Sequence, residues 1–243
     1  MTPPFAARLN ALSAVLGSND CTFMVTILHI SDPHAQSETM RRLEALAISQ
    51  EHTDVIALTG DCASGMTTQV PATWNDWPQK LKLSVPGNHD RNETFNLLYQ
   101  WTHKTPWVQQ LGDLTFIGLN TSKDCLEIKE QLDGLDLSCK AAGSAVVILS
   151  HRWPDETDSR RLGGAIRKLA SHHPVLVLHG HDHPEHFSGS LWDRTARLGE
   201  LNFFRSKVCS SVSQKRAIAN LITWDKIMGS DQANFSLQRR YLA

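Results

Sequence analysis

The sequence lacks the features that define several protein classes. Its five cysteines are odd in number and contain no C-x-x-C pair, so neither a disulfide framework nor a thiolate zinc site is indicated. Lysine and arginine total 24 against 25 acidic residues, which leaves no basic excess for binding duplex nucleic acid. No apolar run approaches the roughly 20 residues of a membrane span, and no secretory signal is recognisable, because Arg8 interrupts a short apolar run and no cleavage pattern follows. We therefore expect a cytoplasmic globular protein with reduced thiols.

The 243 residues are sufficient for one α/β domain, which we place at residues 1–243. Its motif-bearing core spans residues 23–186, and apolar spacing over residues 6–16 predicts a helix within the N-terminal segment 1–20. Histidine is abundant, with 12 residues, and several lie beside aspartate or another histidine. That pattern favours metal chemistry.

Short apolar runs bounded by polar residues predict buried strands. These runs cover residues 23–30, 55–58, 81–85, 145–149 and 175–178. The amphipathic segment 37–48 predicts a helix, so the first strand, its loop and this helix form a crossover unit. Residues 107–119 predict a hairpin that turns at Gly112 and Asp113, and residues 203–208, 217–224 and 235–241 predict further strands.

Polar side chains follow five of these strands. They are Asp32, His34, Asp61, Asn88, His89, Asp90, His151, His181 and His183. Taken singly, each fits an ordinary cap, turn or surface histidine. The ends of strands in an open α/β sheet meet at one edge, however, so we expect these side chains to lie together.

Carboxylate, imidazole and amide oxygen form a donor set that Mn, Fe, Co, Ni and Zn accept. The candidate ligands exceed what one ion needs, and one carboxylate can bridge two ions, so the sequence predicts a two-metal site. Two metals indicate phosphoryl transfer or a related hydrolysis.

The order Asp-x-His, Gly-Asp, Gly-Asn-His-Asp, His, Gly-His-x-His resembles that of the calcineurin-like metallophosphoesterases, from Asp32 to His183. The resemblance implies a four-layer α/β/β/α sandwich of two mixed β-sheets flanked by helices. We expect one mixed sheet from the first part of the chain and a more antiparallel sheet from the last part.

The resemblance also implies residue roles. One divalent ion would be held by Asp32, His34, Asp61 and His183, and the other by Asp61, Asn88, His151 and His181, with Asp61 as the bridge. His89 would donate to the scissile phosphate or protonate the leaving oxygen, and Asp90 would orient it. A hydroxide held between two cations is available at neutral pH for in-line attack on phosphorus, which agrees with these roles.

Several neighbouring residues allow two interpretations. Arg91 and Arg152 could bind substrate phosphate as forked donors, or could form surface or structural pairs. His29 and His179 lie on apolar strands, which favours hydrogen-bonded core histidines.

The predicted reaction is hydrolysis of a phosphodiester or phosphomonoester of a nucleotide or small molecule. A metal-dependent nuclease and a non-catalytic protein-binding scaffold of the same fold are the alternatives, and the oligomeric state is left open. The Asp-Arg-Gly of the protein serine/threonine phosphatases is absent, because Gly60-Asp61 is followed by Cys62-Ala63-Ser64. The Gly-Asn-His-Asp motif of this sequence resembles that of small phosphodiesterases, including the cyclic-nucleotide group, more than that of the protein phosphatases.

Overall fold

The computed structural model describes residues 22–34, 37–62, 76–90, 106–121, 131, 145–152, 166, 169–181, 192–193, 203–207, 217–227 and 233–242. Its strands are β1 (Thr22–Ile30), β2 (Val55–Leu58), β3 (Leu81–Ser84), β4 (Trp107–Leu111), β5 (Leu114–Gly118), β6 (Ala145–Leu149), β7 (Val175–His179), β8 (Trp192–Asp193), β9 (Phe203–Lys207), β10 (Ala217–Ile227) and β11 (Ala233–Leu242), and helix α1 is Ser37–Ser49. Three predictions lie outside the described residues: the N-terminal helix, the ligand His183 and the phosphate-binding Arg91. The single domain over residues 1–243 stays a prediction.

The first sheet has five strands in the order β11-β10-β1-β2-β3. β1, β2 and β3 are parallel, whereas β10 is antiparallel to β1 and β11 is antiparallel to β10. The crossover through α1 joins β1 to the parallel strand β2, as the alternation of apolar and amphipathic segments predicts. The three parallel strands therefore end at the same edge of this sheet.

The second sheet has six strands in the order β4-β5-β6-β7-β9-β8. β5, β6, β7 and β9 are parallel, and the outer strands β4 and β8 are antiparallel to their neighbours. The predicted hairpin is confirmed, because Leu111 of β4 pairs with Leu114 of β5 across Gly112 and Asp113.

Two mixed sheets are thus present, but the expected division of the chain between them is wrong. The last two strands join β1 in the first sheet, and the middle of the chain forms the second sheet. Ile222 and Trp224 of β10 share a core with Val25 and Ile27 of β1. Periodicity identifies a strand, but its partner depends on such distant contacts, which the local pattern does not contain.

The main core lies between the two sheets. Alternate residues of β1 face opposite sides: Val25 and Ile27 pack with Val147 and Leu149 of β6, whereas Leu28 and Ile30 belong to a second cluster with residues of α1. The remaining apolar residues of β5, β6 and β7 are also buried, so the outer face of the second sheet is covered as well; they are Ile117, Val146, Ile148, Val175 and Val177. This burial on both faces of both sheets agrees with the α/β/β/α sandwich.

Within the part of the chain that the structure describes, no helix combines the length and the apolar character needed to cross a bilayer.

Candidate metal centre

The ends of parallel strands from both sheets meet at one edge of the sandwich. Asp32 follows β1, and its backbone N–H donates to the carbonyl of Gly60 after β2 at 3.0 Å. In the second sheet, the N–H of Gly180 after β7 donates to the carbonyl of His151 after β6, also at 3.0 Å. The two sheets are joined here, because the N–H of His181 donates to the Asp32 carboxylate at 3.1 Å.

Asp61 lies at the centre of this edge and is 1% exposed. Its Oδ1 accepts a hydrogen bond from the backbone N–H of His89 at 2.9 Å. Its Oδ2 lies 3.2 Å from Nε2 of His151 and 4.0 Å from Nε2 of both His34 and His89. One carboxylate oxygen therefore lies within 4.0 Å of three imidazole nitrogens.

Two groups of side chains could hold a metal ion, and both contain Asp61. One consists of His34, Asp61 and His89, and the other of Asp61, His151 and His181; within each group the ligand atoms lie within 4.8 Å of one another. The donors are nitrogen and carboxylate oxygen, which suits first-row divalent ions. The donor set therefore fits the kind of centre predicted from the sequence.

The first group contains His34 and Asp61 of the predicted ligand set together with His89, whereas His183 of that set lies outside the described residues. The carboxylate of Asp32, which is buried, accepts the N–H of His181. The second group contains three of the four residues predicted for the other ion, and the Oδ1 of the fourth, Asn88, lies 3.1 Å from Nε2 of His151. The assignment of individual residues to each metal stays a prediction.

His151 is held in one orientation. Its Nδ1 lies 2.8 Å from the carbonyl oxygen of Thr59, which can only accept, so Nδ1 carries the proton and Nε2 faces Asp61, Asn88 and Nδ1 of His181. Burial lowers the pKa of His151, but the hydrogen bond to Asp61 and the nearby carboxylates of Asp32 and Asp61 outweigh burial, so the net shift is upward.

The Asp61 carboxyl shifts in the opposite direction. Burial raises its pKa, but the hydrogen bond and positive charge of His151, with the backbone hydrogen bond from His89, outweigh burial, so the pKa of Asp61 is lowered. The two opposite shifts share one cause, because Nε2 of His151 lies 3.2 Å from Oδ2 of Asp61. The anionic form of Asp61 is also the form that binds cations.

Four site residues other than glycine adopt left-handed backbone conformations. Their φ angles are 53° for Asp32, 49° for His34, 53° for Asp61 and 71° for His181. Such conformations cost on the order of 1–3 kcal/mol each and persist where surrounding contacts enforce them, frequently at functional sites. One enforcing contact is the hydrogen bond from the N–H of His34 to the carbonyl of Asp61 at 2.9 Å.

The turn at residues 87–90 fits closely against Asp61. A Cβ added at Gly87 would overlap the Asp61 carboxylate, so glycine permits this approach. The N–H of Gly87 donates to Oδ2 of Asp90 at 2.8 Å, which closes the turn. Asp90 therefore shapes the turn that presents His89, and its predicted role in orienting the His89 ring stays a prediction.

Sequence reasoning missed the end of β5. Asn120 and Thr121 follow this strand, which neighbours β6, and the hydroxyl of Thr121 accepts the backbone N–H of Arg152 at 2.9 Å. Among the described residues, Nε of Arg152 is buried without a hydrogen-bond partner. Asn120 and Thr121 show the same sequence signal as the other five positions, namely polar residues directly after an apolar strand.

His29 and His179 are fully buried, as expected for core histidines. Nε2 of His29 lies 3.0 Å from the hydroxyl of Thr59, and burial lowers the pKa of His29 to about 3. His29 is therefore neutral near physiological pH.

The sequence matches the family model described as calcineurin-like phosphoesterase over residues 25–207. The chain belongs to the calcineurin-like phosphoesterase family. The family predicted from the motifs is thus confirmed. A comparison with curated proteins gives no significant match.

The fold of this family member is similar to that of purple acid phosphatase PPD1 from yellow lupin (Lupinus luteus) seeds, with a TM-score of 0.56 and 10% identity over 89% of this chain and 53% of the lupin chain. This chain therefore spans about half the length of that protein. Similarity also extends to the phosphoesterase Yfce from E. coli, with a TM-score of 0.45 and 13% identity over 90% and 100% of the two chains. A 5'-nucleotidase from Candida albicans gives a TM-score of 0.49 and 11% identity over 88% and 50%. At such identities the likeness to the lupin enzyme concerns the fold, and it confirms the predicted sandwich.

Proposed function

We propose that this chain is a two-metal phosphoesterase that hydrolyses a phosphate ester of a nucleotide or another small molecule. The observation that carries the proposal is the position of Asp61, whose Oδ2 faces imidazole nitrogens of both candidate groups. A shared carboxylate is the feature that separates a paired metal site from two unrelated histidine clusters. Family membership supports the reaction class.

We assign one ion to Asp32, His34, Asp61 and His183, and the other to Asp61, Asn88, His151 and His181. The candidate metals are Mn, Fe, Zn, Co and Ni, because the donors are nitrogen and oxygen. When bound, such ions supply a water molecule of lowered pKa and neutralise charge on the phosphoryl oxygens. The lowered pKa of Asp61 keeps its carboxylate anionic and ready to bind them.

His89 is the residue that we assign to the leaving group. Its side chain is 50% exposed, whereas that of Asp61 beside it is 1% exposed, so His89 can contact a substrate at the surface of the site. The backbone N–H of His89 donates to Oδ1 of Asp61. The ring of His89 packs edge-on against the ring of His34, with centroids 5.2 Å apart. In its protonated form His89 would transfer a proton to the departing alkoxide oxygen, giving the free alcohol and a neutral imidazole.

The substrate phosphate also needs positively charged donors. Arg152 follows the candidate ligand His151 directly, its backbone is fixed by Thr121, and its buried Nε has no hydrogen-bond partner within the described residues. A guanidinium offers paired donors to phosphate oxygens. We assign phosphate binding to Arg152 and, from the sequence pattern, to Arg91.

The net charge of the chain supports a small substrate. With a formal net charge of -1 the chain has no basic excess for a long nucleic-acid backbone, so we assign small phosphate esters, including cyclic nucleotides, as substrates.

The test is removal and return of the metal. Protein treated with chelator should lose hydrolysis of bis(p-nitrophenyl) phosphate and p-nitrophenyl phosphate and regain it when Mn²⁺ is added. Parallel assays with 3',5'- and 2',3'-cyclic nucleotides and single-stranded DNA would define the substrate class. Hydrolysis that is indifferent to chelator would contradict the metal-dependent mechanism, and metal-loaded protein that hydrolyses none of these compounds would instead support a binding scaffold.

A further inference from the structure

A buried chain of hydrogen bonds lies behind His151. The first bond runs from Nδ1–H of His151 to the carbonyl oxygen of Thr59 at 2.8 Å. Thr59 and His151 are both fully buried, so water does not compete for this bond. The bond crosses between the sheets, because Thr59 follows β2 of the first sheet and His151 follows β6 of the second.

Thr59 is itself fixed by β1. Its backbone N–H donates to the carbonyl of Ile30 at 3.0 Å, and the hydroxyl of Ser31 donates to the Thr59 carbonyl at 3.2 Å. The Thr59 hydroxyl pairs with Nε2 of His29 at 3.0 Å. Every polar atom of Thr59 therefore has a partner, and the carbonyl that receives His151 has little freedom to move.

We propose that Thr59 and His29 are positioning residues that set the tautomer and ring direction of His151 for a metal ion. The carbonyl of Thr59 requires a proton on Nδ1 of His151, which leaves Nε2 as the only atom of that ring able to bind a cation. The neutral ring of His29 fixes the side chain of Thr59 through the hydrogen bond to its hydroxyl. This inference rests on the proposed function, since it concerns His151 as a ligand.

The proposal predicts a difference between the two metal sites. His34, in the other group, is placed by a separate bond from its N–H to the carbonyl of Asp61 at 2.9 Å. Loss of the Thr59 hydroxyl should therefore weaken binding at the site that contains His151 and leave the site that contains His34 nearly unchanged.

Thr59→Val provides the test, because it removes the hydroxyl, keeps the carbonyl and nearly preserves shape. Thr59→Ser restores the hydroxyl, and His29→Phe removes the far partner. The matched control is Ser84→Ala, which deletes a buried hydroxyl that has no hydrogen-bond partner within the described residues. Mn²⁺ binding to metal-free protein is measured by isothermal titration calorimetry and by electron paramagnetic resonance.

The expected result is that Thr59→Val and His29→Phe each weaken one of two Mn²⁺ sites by about tenfold. The double variant should be no weaker than the single variants, because both act through one chain. Thr59→Ser and Ser84→Ala should bind like the wild type, and excess Mn²⁺ should restore the rate of Thr59→Val.

Three outcomes would overturn the inference. They are unchanged affinity at both sites in Thr59→Val, equal weakening of both sites, and additive losses in the double variant. If Thr59→Val does not fold, His29→Phe with the same titration tests the first two of these outcomes. A wild-type protein that binds no Mn²⁺ refutes the proposed function as well, and this result is distinct from equal binding by wild type and variant.

Discussion

Nε2 of His151 lies 3.2 Å from Oδ2 of Asp61, in a part of the protein where both side chains are almost fully buried. The same oxygen is 4.0 Å from Nε2 of His34, which belongs to the other candidate group. Asp61 is therefore the one described carboxylate common to both groups, and its replacement should affect both sites together.

Asp61→Asn should abolish binding of both ions and reduce hydrolysis by at least about a hundredfold, since an amide has the shape of the carboxylate but not its charge. The Asn oxygen can still accept the backbone N–H of His89, so the turn should persist. Metal content and aryl phosphate hydrolysis measure the effect. Asp113→Asn is the matched control, because it alters an exposed ion pair with Lys226. Retention of one tightly bound ion by Asp61→Asn would contradict the shared role.

His89→Ala should retain both metals and lose about a hundredfold or more in rate, because it removes a proton donor and not an assigned ligand. The loss should be greatest for substrates with poor leaving groups, which depend most on protonation. Rates with aryl esters of graded leaving-group pKa measure this dependence. Since His89 also lies within reach of His34 and Asp61, loss of one metal in this variant would show that His89 is a ligand instead.

Gly87→Ala should weaken metal binding as well as stability, because the new methyl group overlaps the Asp61 carboxylate. Gly118→Ala is the matched comparison, since its methyl group would overlap the ring of Trp107. Each change should lower the free energy of unfolding by about 1 to 3 kcal/mol. Mn²⁺ titration of the folded proteins should separate them, with weaker binding in Gly87→Ala alone. Equal affinities would mean that the turn does not position Asp61.

His29 should make stability depend on pH. Its pKa is about 3 in the folded protein against 6.5 for an unperturbed histidine, so between these values the unfolded chain binds an additional proton. The free energy of unfolding should therefore fall as pH decreases below 6.5, by up to about 1.4 kcal/mol per unit, and should not respond to this group above 6.5. Urea denaturation of metal-free wild type and His29→Phe from about pH 7 to pH 5 measures the difference in slope. Parallel slopes would rule out a buried neutral His29.

Much of the candidate site is predictable because its side chains follow strands with a clear apolar pattern. Asp32, Asp61 and His151 could be identified from the runs that precede them, and the strand ends then meet because the strands are parallel. The hairpin was predictable for a similar local reason, since polar turn residues separate two apolar runs.

Other features have no local signature. The pairing of β10 with β1 depends on residues more than two hundred positions apart, such as Thr22 and Ile227. His151 contacts the backbone carbonyl of Thr59. Every residue has such a carbonyl, so the residue types in the sequence do not predict this contact. The left-handed conformations of His34 and His181 are likewise imposed by surrounding contacts and not by a glycine in the sequence.

The residues of the candidate site come from both sheets, so a bound ion would also link the two sheets. Asp32 and Asp61 follow strands of the first sheet, whereas His151 and His181 follow strands of the second. A cation held by such a set would contact both sheets, so the sheets could not separate at this edge without releasing it. Its binding would stabilise the folded protein, and this stabilisation would increase with the free concentration of the cation. We therefore expect metal binding at this edge to stabilise the contact between the two sheets.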